Sequence, residues 1–234
     1  FFENEYKKII DWFIKNNSNG EYLAKTPLGK MPKKELNQWL SPVKQKEIAA
    51  LYWYITNKID SNYRDLFLLI LTSSSIKSSY VAFCPGTTFY PFKQKPDIIS
   101  EFCDLSKCVY EDLSSEYQKN KLIESRVCLA SSIETKDFEK IINKVDLIIT
   151  SPPYPNDLEY TRQTRLEMYL LGFAEKMEDV QKIKKTMVKG STKLIYNNDK
   201  PIPEILENKR IQKIAKEIYN KTNGKNWGFD YPLM

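Results

Sequence analysis

The run TSPPYPNDLEY, residues 150–160, follows directly on the apolar segment VDLIIT, residues 145–150. Proline gives up a backbone donor and fixes φ, so Pro152 and Pro153 in succession make a rigid corner whose neighbouring carbonyls have no ladder to join. Acceptors held in this way take hydrogen bonds from something other than backbone, and Tyr154 adds an aromatic face beside them. The accompanying chemistry is narrowed by an absence, since the 234 residues include no histidine. Ser-His-Asp hydrolysis, Cys-His proteolysis and histidine-rich metal sites are thereby excluded. Cys84, Cys103, Cys108 and Cys128 sit at no paired zinc spacing and read as reduced thiols, with no metal expected.

Several elements must position such a corner. EYKKIIDWFIKNN sets Tyr6, Ile9, Ile10 and Phe13 at helical spacing, and NNSNG stops it. Ser41-Pro42 opens a second helix, cap followed by proline, with Ile48, Leu51, Tyr52, Ile55 and Ile59 as its apolar stripe. YRDLFLLILTSSS predicts a third helix, apolar enough to be largely buried. Residues 77–96, KSSYVAFCPGTTFYPFKQKP, read as a long aromatic loop of the kind that is functional or disordered in compact domains. From Asp97 a longer helix aligns Ile99, Phe102, Cys103, Ser106, Tyr110, Leu113 and Tyr117.

The pattern then changes. SRVCLAS and VDLIIT read as short buried strands joined by a helical TKDFEKIIN, which predicts an α/β class with a parallel sheet covered on both faces. The division expected is 1–120, mostly helical, and 121–234, part of an α/β domain. Ligand sites in such sheets lie beyond the carboxyl ends of strands, where the Pro-Pro corner falls. Next, DLEYTRQTRLEMYLLGF predicts a helix with Leu166, Tyr169, Leu170 and Phe173 inward and Gly172 near its end. A basic stretch, QKIKKTMVKGSTK, precedes a last helix around IPEILENKRIQKIAKEIYNK. The net charge of +6 favours an anionic partner. No apolar run reaches the ~20 residues that span a bilayer, and the first residues lack a signal-peptide pattern, so no membrane association and a cytoplasmic setting are expected.

VDLIITSPPY resembles the catalytic segment of S-adenosylmethionine-dependent DNA amino-methyltransferases, where Asp, Asn or Ser precedes Pro-Pro and an aromatic. The continuation PNDLEYTRQTRLEMYLLGF is similar to the xNxxDYxRxxxLExxLLGF run of members described as cytosine-N4-specific. NQWLSPVKQKEIAALYWYI and YRDLFLLILTSSSIKSSY resemble the helical segment such proteins carry ahead of the motif. The resemblance covers roughly residues 38–175 and is closest over 145–173.

The resemblance implies a Rossmann-like methyltransferase sheet, incomplete in this chain, and methyl transfer to the exocyclic amine of a base everted from double-stranded DNA. Ser151 Oγ and the Pro152 carbonyl would accept from the amino hydrogens as the nitrogen becomes tetrahedral, with Pro153 keeping them rigid. Tyr154 would stack the base, for ~1–3 kcal/mol. The proton leaves after attack, so no histidine is required. Serine at the first position implies cytosine N4 ahead of adenine N6, and a C5 mechanism lacks its Pro-Cys thiolate, since this chain has only Cys84-Pro85. Asn156, Tyr160, Arg162 and Arg165 match positions that hold substrate, although a cap and solvated helix charges explain them equally. Glu167 reads as the partner of a nearby basic group. Lys182, Lys184, Lys185, Lys189 and Lys193 either track phosphates or form a solvated face, and Gly190-Ser191 resembles a short element after the catalytic helix. The implied setting is restriction–modification or phage defence, with a cognate nuclease or a further part of the same polypeptide as partner.

The chain departs from the family at the cofactor. The family's glycine-rich S-adenosylmethionine turn has no counterpart, because no two of the seven glycines sit at its spacing and FCPGTTFY lacks the second glycine. The turn is expected before Phe1, and this chain alone is expected not to methylate. Relatives often end the second strand with Gly-Asp; here CLASSIET offers Ser131 and Ser132, which with Thr150 are the cofactor-side candidates. An RNA or protein amine methyltransferase, or a DNA-binding subunit without catalysis, are the alternatives.

Overall fold

The structure, a computed structural model, describes residues 1–16, 20–83, 87–119, 125, 127–128, 130, 145–151, 159–187 and 207–221. They fall into two compact units, Phe1–Arg126 with Thr161–Lys182, and Val127–Tyr160 with Ile183–Met234. The helical unit thus takes in a segment that the sequence pattern assigns to the later domain.

In the first unit helices pack on helices. α1 (Phe2–Asn16) buries Phe2, Ile9 and Phe13. Two 3-10 turns, Gly20–Lys25 and Pro27–Lys30, and the short α2 (Lys33–Trp39) lead to α3 (Pro42–Lys58). Ser41 accepts from the Lys44 amide at 3.4 Å with Pro42 in the first turn, so α3 starts as its cap-proline order predicts. Its stripe of Ile48, Leu51 and Ile55 is fully buried. α4 (Ser61–Ser78) is capped by Asp60, which accepts from the Asn62 amide, and buries Phe67, Ile70 and Leu71. Ser74 and Ser75 go inside by donating to the carbonyls of Ile70 and Leu71, one turn back, whereas the buried Ser78 hydroxyl has no hydrogen-bond partner. α5 (Ile98–Gln118) is capped by Asp97 accepting from Ser100. Phe2, Phe67 and Phe102 stack in sequence, at 4.7 and 6.3 Å between centroids. Burial of each such ring contributes roughly 1.5–3 kcal/mol. Only the first half of the expected α5 face goes in: Phe102 and Ser106 are buried, while Tyr110, Leu113 and Tyr117 are exposed.

The stretch expected to be a loop contains a hairpin. β1 (Val81–Phe83) pairs antiparallel with β2 (Thr87–Phe89), Val81 opposite Phe89. This is the sole strand pairing among the described residues, and it overturns the α/β, Rossmann-like expectation. Of the two segments predicted as parallel strands, Val127, Cys128 and Ala130 in the first and 145–150 in the second form no strand. Leu147, Ile148 and Ile149 are 73, 80 and 87% exposed where a buried strand would hide them. The physical reason is partnership. A strand apolar on both faces needs neighbours for its amides and helices above and below, and fewer than three strands seldom hold together. The chain's amphipathic helices instead bury their faces on one another.

Among the described residues, the helix expected over 157–173 is two, α6 (Tyr160–Gln163) and α7 (Arg165–Leu170), broken at Thr164 with φ −98° and ψ 23°. Leu166, Tyr169 and Leu170 face inward as predicted, but Phe173 is 67% exposed. Gly172, at φ +78°, turns it out: the Phe173 amide donates to Met168 and the Gly172 amide to Tyr169, a Schellman closure. α8 (Met177–Thr186) and α9 (Lys209–Lys221) complete the described helices.

Two glycines are dictated by space. A Cβ on Gly29 would lie 2.1 Å from the Leu23 carbonyl oxygen, and one on Gly172 would lie 3.1 Å from Pro27 Cγ in a left-handed backbone. Gly172→Ala is expected to cost ~1–2 kcal/mol for its backbone sign, and Gly29→Ala ~2–3 kcal/mol because main chain must move. Urea denaturation of the two variants checks this; equal midpoints for both variants and wild type would show that neither close approach exists.

Candidate functional site

The Pro-Pro corner has two flanks. The upstream flank, 145–151, carries no regular structure, and Thr150 and Ser151 are exposed. The residues between, including Pro152, Pro153, Tyr154 and Asn156, lie outside the described residues, as do Ser131, Ser132, Lys189, Ser191 and Lys193. The downstream flank is fixed. Tyr160 and Arg162 are half-buried on α6, and Thr161 is 1% exposed. α7 then packs on α4 and on the turn Pro27–Lys30, sinking Leu166, Met168, Tyr169 and Leu170.

Polar contacts lock α7 in place. Arg165 Nη1 donates to Glu35 Oε1 at 3.3 Å, both side chains about one-fifth exposed. One turn on, the Tyr169 hydroxyl is buried without a hydrogen-bond partner, as are Arg165 Nε and Glu35 Oε2. Burial, reinforced by the Glu35 charge, pushes the Tyr169 phenol well above its ordinary range. Arg165, a substrate-side candidate, therefore has its guanidinium engaged inside the protein, with Lys30–Glu175 at 2.6 Å as an outer tie. Glu167 does not take up the basic partner anticipated for it: its Oε2 is buried with no hydrogen-bond partner, and burial raises the carboxyl above its ordinary 4.5.

The basic stretch divides. Lys182 pairs with Asp179 at 3.3 Å on an exposed turn. Lys184 pairs with Glu159 at 3.3 Å, the two side chains only 11 and 15% exposed, so this lysine anchors the chain just ahead of α6. Sequence reasoning missed Glu35 and Glu159. Nothing local marks either, since their partners lie 130 and 25 residues away.

A bound S-adenosylmethionine requires backbone that approaches closely, which means glycine with open space before it. The described glycines do not supply this: Gly20 faces the Lys46 side chain, Gly29 the Leu23 main chain and Gly172 the ring of Pro27. Thr150, the described cofactor-side candidate, is exposed. The described residues therefore do not fit the cofactor. Among them no cluster of three or more cysteines and carboxylates is placed to hold a metal, and no helix is long and apolar enough to cross a membrane. No family model, curated protein or solved structure matches this chain.

Two outcomes are expected. Removing either partner of Arg165–Glu35 strands a buried charge, so Arg165→Ala and Glu35→Ala should each lose ~1–3 kcal/mol in urea titration, the double variant less than their sum, and Tyr169→Phe should lose nothing. Additive losses would show the pair is not coupled. For Glu167 the folded carboxyl lies above the unfolded one, so its contribution is present below pH 4.5 and is lost as pH rises through the raised value. Glu167→Gln should thus gain on wild type as pH rises from 4.5 toward neutrality; parallel pH profiles would refute this.

Proposed function

We propose that this chain carries the amine-accepting part of an S-adenosylmethionine-dependent DNA amino-methyltransferase, acting on cytosine N4 and, as second choice, adenine N6. The observation that carries the reading is the uninterrupted run from VDLIIT through SPPY to the Asn, Tyr, Arg and Leu-Glu positions ending at LLGF. In this reading Ser151 and the Pro152 carbonyl accept from the amino hydrogens of an everted base, drawing its nitrogen out of conjugation. Pro153 limits their motion, and Tyr154 stacks the base. Glu159, Tyr160, Thr161 and Arg162 are the first described polar residues downstream in sequence. The methyl donor in this reading is S-adenosylmethionine, and what the described residues support is the acceptor side. The setting is a cytoplasmic restriction–modification or phage-defence system, with double-stranded DNA as substrate and a cognate nuclease or further polypeptide as partner.

A second reading, a DNA-binding subunit without catalysis, is favoured by the glycines, whose spacing offers no cofactor turn. The two differ in what S-adenosylmethionine does: it raises the melting temperature of the full-length protein in the first and leaves it unchanged in the second.

Eversion is cheapest from a mismatch, so the chain should prefer a duplex with a mispaired cytosine over the matched duplex. Tyr154→Ala should weaken binding to the mispaired duplex roughly tenfold, the size of one lost stacking contact, and Ser151→Ala by less. Fluorescence anisotropy with labelled duplexes measures both. No preference for the mispaired site, or Tyr154→Ala binding like wild type, would remove the corner from base recognition.

A further inference from the structure

The hairpin β1–β2 and the strap that follows it, residues 90–96, are unusual for a protein surface. The segment 77–96 contains five aromatic residues, three lysines and no carboxylate. Phe89, Tyr90 and Phe92 are 40, 50 and 83% exposed, and Tyr90 and Phe92 meet edge to face with centroids 6.1 Å apart. Contiguous exposed apolar surface of this kind marks a contact site.

These rings are held firmly. The Tyr90 amide donates to the Tyr80 carbonyl at 2.9 Å, closing the hairpin, and the Tyr80 amide donates to Trp39 at 2.8 Å. Lys93 Nζ donates to the carbonyls of Ile76 and Val81, and Lys44 Nζ to those of Ser78 and Pro96, all within 2.8 Å. Each ammonium commits two of its three protons to this purpose. Lys95 lies 3.5 Å from the centroid of Tyr80, whose ring leans on Phe89 at 5.7 Å. A side chain fixed before binding loses little entropy on binding.

The same arrangement concentrates positive charge. Lys93 is held below the ordinary lysine value by burial first and then by the ammoniums of Lys44 and Lys95. Around Lys44, Asp97 and Glu47 offset part of this field, and Lys77 is paired with Glu101 at 2.9 Å. The strap itself has no acid of its own. An anion with flat apolar groups fits such a surface on both counts, and a strand of unpaired nucleotides is that anion: each base has a face to stack and each phosphate a charge to neutralise. A purely apolar protein segment would leave the lysines' field unanswered, and a duplex hides its base faces.

We propose that Phe89, Tyr90, Phe92 and Lys95 form a stacking platform for single-stranded DNA. The choice of DNA over RNA rests on the function proposed above; the platform itself does not depend on the Pro-Pro corner or on catalysis.

The test uses the full chain and a fluorescein-labelled oligothymidylate in anisotropy titrations, with oligouridylate and a matched duplex as comparison ligands. Phe92→Ala and Tyr90→Ala should each weaken oligothymidylate binding roughly tenfold. Phe92→Trp should retain it and Phe92→Leu should not, because a ring and not bulk is required. Lys95→Gln should flatten the salt dependence by about 0.7 in slope. Phe92 is exposed, so these variants fold, and circular dichroism confirms it. Phe92→Ala should leave the preference for a mispaired over a matched duplex unchanged, which separates failure of the platform from failure of the corner. The proposal is overturned by wild-type binding that is undetectable, that favours duplex or oligouridylate tenfold, or that is matched within twofold by Phe92→Ala and Tyr90→Ala. It is equally overturned if Phe92→Ala abolishes only self-association of the protein in sedimentation.

Discussion

Four main-chain carbonyls determine how the first unit is assembled. Those of Ile76 and Ser78 end α4, that of Val81 lies in β1 and that of Pro96 precedes α5. The last carbonyls of a helix have no partner within it, and they gather the negative end of its dipole. Here Lys44 from α3 and Lys93 from the strap add donors, each bonding two carbonyls from different segments, and the Ile76 carbonyl also accepts from the Ser79 amide and hydroxyl. Burial holds both ammoniums below the ordinary lysine value. That cost is offset by four charge-assisted hydrogen bonds, each of the stronger kind. The junction of α3, α4, hairpin and α5 is therefore electrostatic at its centre and apolar around it.

From this junction the rest of the unit follows in order. With α4 and α5 fixed, Phe2, Phe67 and Phe102 stack through the core. With α4 fixed, α7 has a surface to seat Leu166, Tyr169 and Leu170, and the Arg165–Glu35 pair completes the attachment. The hairpin projects from the same junction, so its rings stand in solvent without being loose.

Much of this was legible in the sequence, and what was legible was local. Ser41-Pro42 and Asp97 announce helix starts because a cap acts on amides within three residues of itself. Gly172 announces a stop because no other residue adopts φ +78° at so little cost. The stripe Ile48, Leu51, Ile55 announces a buried face because helical spacing alone puts it on one side. What failed was non-local. VDLIIT has the composition of a buried strand, but composition cannot supply the neighbours that make a strand, and Leu147, Ile148 and Ile149 lie exposed. Glu35 and Arg165 are 130 residues apart, and no periodicity links them. The hairpin was hidden because three-residue strands leave almost no alternation to detect. Leu113 and Tyr117 continue the stripe of α5 past Tyr110, whose ring still stacks on Phe2, and lie 47 and 72% exposed.

The candidate site divides along the same line. Holding an amine needs a few oxygens and a ring, and four consecutive residues at 151–154 contain both. A motif that compact is visible in any sequence that has it. Holding a sulfonium cofactor is a different physical demand, because main chain must come close to adenosine, and only glycine with empty space ahead permits that. Gly20, Gly29 and Gly172 are each already closed off, by a lysine stem, a carbonyl and a proline ring. Those glycines serve the packing of the helical unit, Gly29 by letting the two 3-10 turns touch and Gly172 by ending α7 against Pro27. A residue that packing requires to lack a side chain cannot also keep a ligand's place open. Among the described residues the glycines are therefore committed to packing, and a cofactor turn is not among them.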